Sequence, residues 1–192
     1  MEKLLFVDAC IRGEESRTLK IANALLEELG KRYEIERVDL NALGWKPIDR
    51  ETCLKRNAGE FDEEVLTYAK KVAAADRIVI AAPFWDMSFP SALKVFLELM
   101  SVNEVVFRYT DHGQEGCCKA EKMLYVTTRG SELCTGDPME QATSYLKAIG
   151  WLWGIPEVLC VDAKGMDMYG PEVAQQRMEQ AIQEGLELCK SF

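Results

Sequence analysis

Three short segments of the chain combine charged, hydroxyl and aromatic side chains in ways that suit the binding of a small anionic or planar molecule. The first segment, residues 10–18, carries the hydroxyls of Ser16 and Thr18 and the positive charges of Arg12 and Arg17. If a helix begins here, its free N–H groups and the positive end of its dipole attract an anion, usually a phosphate. This segment is therefore a candidate phosphate site.

Other features of the same segment leave the phosphate interpretation open. Glu14 and Glu15 would repel a phosphate unless both side chains point to solvent. Ser16 or Thr18 can also serve only as the cap of a helix, as such residues often do. The segment has no G-x-G-x-x-G motif, so it does not predict the nucleotide-binding turn of a Rossmann fold.

The second segment, residues 83–90, is aromatic where a connecting loop is normally polar. The flat apolar faces of Phe84, Trp85 and Phe89, together with Met87, could flank a planar ring. The alternative is a hydrophobic loop that completes the core or a subunit interface.

The third segment, residues 127–131, joins hydroxyls to the cation of Arg129 and the flexible backbone of Gly130. Arg129 could instead be a surface arginine paired with an acidic neighbour, since acidic residues are in excess. Together the three segments describe a cleft with an anion site at one end and a flat apolar slot at the other. Such a cleft suits flavin mononucleotide (FMN).

The composition of the 192-residue chain excludes several other classes of protein. Its 48% hydrophobic content is ordinary for a globular protein and rules out disorder. Lys and Arg number 23 against 32 Asp and Glu, and the net charge of −9 disfavours nucleic acid and anionic membranes as partners. No uncharged stretch approaches the ~18 residues of a membrane helix. The composition therefore predicts that neither nucleic acid nor a membrane is a partner.

The seven cysteines and the single histidine, His112, limit the chemistry that side chains can supply. An odd number of cysteines without C-x-x-C spacing argues against a disulfide framework and against zinc or iron–sulfur ligation. Reduced thiols predict a cytoplasmic location. The chain has no H-E-x-x-H or G-x-S-x-G motif, so we predict no metal site and expect that histidine side chains do not dominate the chemistry.

Apolar runs alternate with amphipathic segments five times along the chain, which predicts an α/β fold. The strands are predicted at residues 4–9, 33–40, 78–82, 123–128 and 158–161, and the helices at 16–30, 62–75, 90–100, 137–153 and 171–190. Because the central strands are apolar throughout, the sheet should be parallel, doubly wound and covered by helices on both faces. In such folds ligands bind beyond the carboxyl ends of the strands, where all three segments lie.

No linker or internal repeat marks a second domain, so residues 1–192 are predicted to form one domain. One irregular insertion, at about residues 103–121, separates the third helix from the fourth strand. Its apolar run at 105–110, followed by Asp111, His112 and Gly113, predicts a short strand and a turn.

Several motifs, taken in order, resemble those of the FMN-dependent NAD(P)H azoreductase and quinone reductase family, which has a flavodoxin-like fold. The resemblance covers nearly the whole chain and rests on residues 10–18, 83–87 with 90–94, Phe-Arg-Tyr-Thr at 107–110, Thr-Thr-Arg-Gly-Ser at 127–131 and Tyr-Gly-Pro at 169–171.

This resemblance implies a function for each of the three segments. Ser16, Arg17 and Thr18, with Arg12 beside them, would hold the phosphate of FMN. The isoalloxazine ring would be lined by Pro83, Phe84, Trp85, Asp86 and Met87, and its other edge would be covered by Thr128, Arg129, Gly130 and Ser131. Members of the family are homodimers with FMN near the subunit interface, and the insertion would be placed to help contact the partner.

The same resemblance implies an enzyme in which the flavin carries the redox chemistry. NADH or NADPH would reduce the flavin and leave, and a quinone, azo or nitro compound would then take its place and accept the electrons. Trp85 and Tyr109 are candidates for the walls of this substrate slot, although each could equally be a packing residue.

Three departures from the family pattern limit what can be transferred. Cys10 stands where serine is frequent, so a weak thiol donor replaces a hydroxyl. Asp86 stands where asparagine is common, and its carboxylate should lower the reduction potential of the flavin. Ser131 replaces a usual glycine.

Three other functions remain open from the sequence. A flavodoxin-type electron carrier would bind FMN without turning over NAD(P)H, and a flavin-free binding module could keep the fold. A low-molecular-weight tyrosine phosphatase needs the motif Cys-x5-Arg-Ser/Thr and a general acid. Cys10, Arg17 and Asp137 nearly match this requirement, but six residues, not five, separate Cys10 from Arg17.

Overall fold

The computed structural model describes residues 1–192, and its centre is a five-stranded parallel sheet. The strands of the sheet are β1 (Glu2–Asp8), β2 (Tyr33–Asp39), β3 (Arg77–Ala81), β6 (Lys122–Thr128) and β7 (Glu157–Ala163), and a separate antiparallel hairpin consists of β4 (Phe107–Thr110) and β5 (Gly113–Gly116). The order across the sheet is β2-β1-β3-β6-β7, with every neighbouring pair parallel. This confirms the predicted flavodoxin-like, doubly wound architecture.

Seven helices connect the strands and cover both faces of the sheet. They are α1 (Arg17–Leu29), α2 (Leu40–Leu43), α3 (Arg50–Asn57), α4 (Glu63–Ala74), α5 (Ser91–Met100), α6 (Gln141–Trp153) and α7 (Pro171–Cys189). Helices α1 and α7 pack on one face, and α4, α5 and α6 pack on the other. None of these helices is both long and apolar enough to span a membrane.

Alternate residues of each central strand belong to two separate hydrophobic cores. In β1, Leu4 and Phe6 pack with α1 and α7, whereas Leu5 and Val7 pack with α4 and α5. Because side chains of a strand alternate between faces, a strand buried on both sides must be apolar at every position. The uninterrupted apolar runs of the sequence therefore result from the burial of both faces of these strands.

The helices differ from the predictions in two places. Between the predicted second strand (33–40) and second helix (62–75), where no helix was predicted, the structure has α2 and α3. Helix α3 buries no residue, so it leaves no amphipathic pattern, and it begins where the Asp49 carboxylate accepts the N–H of Thr52 at 2.8 Å.

Helix α6 begins at Gln141, four residues after the predicted start at residue 137. Its cap is Glu140, whose carboxylate accepts the N–H groups of Ala142 and Thr143 at 3.0 and 2.9 Å. Asp137 instead accepts the N–H of Met139 at 2.8 Å, within the turn that precedes the helix.

The β4–β5 hairpin lies within the predicted insertion and packs on the carboxyl end of α6. Gln114 Nε2 donates to the carbonyl of Leu152 at 2.8 Å, and Gly116 lies directly against Gly154. Because α6 runs antiparallel to the strands, this contact is at the amino-terminal edge of the sheet. The base of the hairpin is thus far from the carboxyl ends of the strands in the same chain.

Candidate functional site

A cavity of ≈ 130 Å³ lies at the carboxyl ends of β1, β3 and β6, where the three segments singled out in the sequence meet. Its lining consists of Arg12, Ser16, Arg17, Thr18, Pro83, Phe84, Trp85, Thr128, Arg129, Gly130, Met166 and Asp167. A second cavity of ≈ 500 Å³ shares Trp85 with it and also contains Asp86, Ile11 and Tyr145. Of the residues predicted for the site, only Met87 and Ser131 line neither cavity.

The first turn of α1 forms the polar end of the smaller cavity. Ser16 caps the helix: its Oγ accepts the N–H of Leu19 at 3.2 Å, and its carbonyl accepts the N–H of Lys20 at 3.1 Å. The N–H groups of Arg17 and Thr18 come before that of Lys20, the first donor of an intrahelical bond, and have no partner within the helix. The serine is therefore a cap at a helix end with free N–H groups, so its two predicted functions, helix cap and phosphate ligand, are compatible.

Thr18 and Thr128 join this helix end to β6. Their hydroxyl oxygens lie 2.7 Å apart in a hydrogen bond, and both residues line the smaller cavity. The contact fixes the distance between the first and third segments.

The segment after β7 supplies two lining residues that the sequence analysis missed. Arg17 Nη1 donates to the carbonyl of Met166 at 3.1 Å and to Asp167 Oδ1 at 2.8 Å. A Cβ on Gly130 would lie 2.6 Å from Asp167 Oδ2, so the carboxylate lies directly against Gly130 and would have to turn if this residue had a side chain. The position of Met166 and Asp167 just beyond the fifth predicted strand was a signal available in the sequence.

A tight turn presents the aromatic end of the site. Trp85 and Ser88 exchange two backbone hydrogen bonds of 2.8 Å, and φ is +48° at Asp86 and +67° at Met87. Two positive φ values in a two-residue turn are the signature of type I′, which favours asparagine and glycine. The turn leaves Trp85 41% exposed and Met87 38% exposed, so it presents apolar surface at the cleft.

Arg129 is a buried residue, which corrects the alternative that placed it on the surface. Its guanidinium forms an ion pair with Asp162, lies 3.9 Å from Glu140 and donates to Thr135 Oγ1 at 2.9 Å. Its side chain is fully buried, and its charged group lies 5.5 Å from the centre of the Phe84 ring. The acidic partners were expected, but the burial was not.

Cys10 lies at the end of β1 in a position that suppresses its reactivity. Burial is the main cause that raises the pKa of its thiol to about 12, while a hydrogen bond with Ser16 acts in the opposite direction. The neighbouring Asp8 carboxylate raises the pKa further. Because the thiolate is the nucleophilic form, this cysteine does not have the activated thiol that the phosphatase mechanism needs.

Tyr109 does not join the site within the same chain. It lies on β4, is 71% exposed and packs edge-on against Phe107, with ring centres 5.6 Å apart. Of the two residues considered for the substrate slot, only Trp85 lines a cavity at the carboxyl edge.

Fold and cleft together define a flavodoxin-like protein. The model of the family described as "Flavodoxin-like fold" matches residues 2–188. The fold of this chain is similar to that in the crystal structure of an azoreductase from Bacillus anthracis str. Sterne. The TM-score is 0.84 at 20% identity, and both chains are covered completely. An FMN-dependent NADH-azoreductase from Bacillus anthracis str. Ames Ancestor, solved in complex with FMN, has a TM-score of 0.77 at 23% identity over 98% of this chain and 100% of its own.

Sequence similarity extends over the full length of curated relatives. The chain is 32% identical over 200 residues to an FMN-dependent NADH:quinone oxidoreductase of Clostridium perfringens (strain SM101 / Type A), with all of both chains covered. It is also 32% identical over 202 residues to FMN-dependent NADH:quinone oxidoreductase 2 of Clostridium acetobutylicum, again with complete coverage. The chain therefore belongs to the FMN-dependent NADH:quinone oxidoreductase family of flavodoxin-like proteins.

Proposed function

We propose that this protein is an FMN-dependent oxidoreductase that takes electrons from NADH or NADPH and passes them to quinone, azo or nitro compounds. The observation that carries the proposal is the cleft at the carboxyl ends of β1, β3 and β6. One end of it has free helix N–H groups, hydroxyls and Arg17, and the other end has the aromatic turn at Trp85. Full-length identity of 32% to named oxidoreductases supports the same function.

The donors and apolar surfaces of the cleft fit FMN. Ser16, Arg17 and Thr18 would hold the phosphate, because a helix N-terminus with a cation beside it matches an anion. Phe84 and Trp85, with the turn that follows them, would line the ring. Thr128, Arg129, Gly130 and Ser131 would cover the opposite edge. When bound, FMN supplies the transfer of hydride and electrons, and the protein binds and orients the reactants.

The side chains around the ring would act by shape and by excluding water. The Trp85–Ser88 turn is held at both ends, by its own two hydrogen bonds and by the N–H of Gln141 on the carbonyl of Met87 at 3.0 Å. Such a fixed turn keeps the Trp85 side chain at the mouth of the cleft. No side chain of the cleft needs to act as a nucleophile.

We propose further that the enzyme is a cytoplasmic homodimer. Several exposed apolar residues line the two cavities or lie within two positions of a lining residue in the chain, namely Ile11, Trp85, Met87, Met168 and Tyr169. Aromatic residues and methionine are enriched at protein interfaces. The hairpin, with Tyr109 exposed, would contact the partner subunit. All seven cysteines are free thiols, which supports a reducing compartment.

A flavin titration tests the proposed function. We expect the purified protein to bind added FMN, and the bound flavin to lose its visible absorbance completely when NADH is added without oxygen. Addition of a quinone should then restore the absorbance. FMN that binds but stays oxidised with NADH, while dithionite still reduces it, would contradict the proposal and indicate an electron carrier. Absence of FMN binding would contradict the cofactor assignment itself.

Replacing Asp86 with asparagine is expected to raise the midpoint potential of bound FMN by on the order of 10–30 mV. The carboxylate opposes the negative charge that reduction brings, and solvent screens much of this effect because Asp86 is exposed. Asparagine also tolerates the positive φ of +48° at this position, so the turn should be kept. The control is Glu27→Gln, which removes an exposed carboxylate near the carboxyl end of α1, away from the cleft. A potential that does not rise in Asp86→Asn would contradict this expectation.

A further inference from the structure

The smaller cavity contains a carboxylate at its anion-binding end. Asp167 lines this cavity together with Arg17, Ser16 and Thr18, and its Oδ1 accepts a hydrogen bond from Arg17 Nη1 at 2.8 Å. Its side chain is 70% exposed, so core packing does not explain why it lies there. The cation that should attract a phosphate thus already has an anionic partner belonging to the protein.

The backbone holds Asp167 at this position. Beyond the end of the sheet, the segment after β7 continues to pair with the segment after β6. Gly165 N–H donates to Ser131 O at 2.6 Å, Met166 N–H to Arg129 O at 2.9 Å, and Asp167 N–H to Gly130 O at 3.3 Å. A bound ligand can turn the Asp167 side chain, but it cannot move the residue away without breaking these bonds.

The remaining charges near the cavity do not compensate for this carboxylate. Arg12, which also lines the anion-binding end, has Glu15 at 3.6 Å, and Arg129, the third arginine of the lining, is paired with Asp162. Both arginines of the phosphate-binding end are therefore paired with acidic residues. The donors that stay unopposed are the N–H groups of the first turn of α1 and the hydroxyls, and these favour an anion without requiring two negative charges on it.

We infer that Asp167 is an affinity- and specificity-determining residue of the phosphate site, which weakens the binding of the FMN phosphate dianion and so reduces the preference for FMN over riboflavin. This inference rests on the proposed function, because it assumes that the cleft binds flavin. The physical cause is repulsion between the carboxylate and the phosphate, together with competition for Arg17. When the carboxylate becomes a neutral amide of the same shape, the repulsion vanishes and the competition for Arg17 weakens, because a charged acceptor is replaced by a neutral one.

The test is the ratio of the riboflavin and FMN dissociation constants, measured by quenching of flavin fluorescence. In Asp167→Asn we expect FMN to bind about fivefold more tightly and riboflavin to bind as in the wild type, since only FMN carries the phosphate. The amide oxygen can still accept the hydrogen bond of Arg17, so the arginine keeps its place. The gain should diminish in about 0.5 M salt, because exposed charges are screened.

The matched control is Glu27→Gln. This substitution removes one negative charge, as Asp167→Asn does. Glu27, however, is an exposed residue of α1 that lies ten residues, about 15 Å, along the helix from Arg17. The ratio of the riboflavin and FMN dissociation constants in Glu27→Gln should equal that of the wild type.

The outcomes separate this inference from the proposed function. An unchanged or smaller ratio in Asp167→Asn, with both flavins still bound, would overturn the inference alone. A gain that does not depend on salt would overturn its electrostatic cause. If neither the wild type nor the variant bound either flavin, the proposed function would fall and the inference with it.

Discussion

Replacing Arg129 with methionine is expected to lower the free energy of unfolding by about 3–5 kcal/mol. The guanidinium is fully buried between Asp162 and Glu140, and Glu140 is itself fully buried. Methionine fills a similar volume but leaves both carboxylates without their cation. Removing one partner of a buried ion pair costs more than the pair contributes, because the remaining charge keeps its desolvation penalty. Urea unfolding measures this change, and the melting temperature should fall by roughly 10 °C.

A more exposed arginine of the same region provides the control. Arg177 pairs with Glu132 at 2.7 Å, and the two side chains are 28% and 37% exposed. Arg177→Met should therefore cost about 1 kcal/mol or less. In the Arg129→Met background, Glu140→Gln should recover part of the lost stability, since it removes one of the orphaned charges. Equal losses in the two arginine variants would show that burial of the Arg129 cluster has no special cost.

Replacing Gly116 with alanine is expected to cost about 3 kcal/mol or more, or to detach the hairpin from α6. A Cβ at this position would lie 2.0 Å from Gly154 N and 2.3 Å from Gly154 Cα. Both of these are backbone atoms, so no side-chain rotation can relieve the overlap. Gly154 is the C-cap of α6 at φ +82°, and moving it would disturb the end of that helix. Thermal unfolding measures the loss of stability, and the rate of proteolysis in the hairpin shows whether it has detached from α6.

The neighbouring residue Glu115 is the control for Gly116. Its side chain is 53% exposed and pairs only with Arg108, at 2.8 Å. Glu115→Ala should change the stability by less than about 1 kcal/mol, because exposed ion pairs contribute little. A Gly116→Ala variant as stable and as resistant to protease as Glu115→Ala would contradict the close backbone contact.

The sequence predicted the five strands and their direction because burial of both faces leaves a strong local signal. Leu4–Val7 is apolar at each position for the reason that its side chains enter two cores. The start of α1 was also predicted, because the hydroxyl of Ser16 is a typical helix cap. Helix α3 was missed because it lies on the surface and buries nothing.

The sequence predicted those site residues that lie close to a strand end or a helix start. It did not predict those that reach the site through pairing between distant segments. Arg17 stands at a helix start, Phe84 lies just beyond a recognisable strand, and Thr128 is the last residue of another. Asp167 is brought to Arg17 across 150 residues by pairing that continues beyond the sheet, and no local pattern records such a contact. The burial of Arg129 depends in the same way on Asp162 and Glu140, which come from β7 and from the cap of α6.

The order β2-β1-β3-β6-β7 has a consequence for how the protein is made. Once β1 and β2 have paired, β3 adds to the free edge of β1, then β6 adds to β3 and β7 adds to β6. Chain synthesis delivers the strands in this same order, with the amino-terminal part first. Each strand emerging from the ribosome therefore finds its docking edge already present, and none has to be inserted between two strands that have already paired.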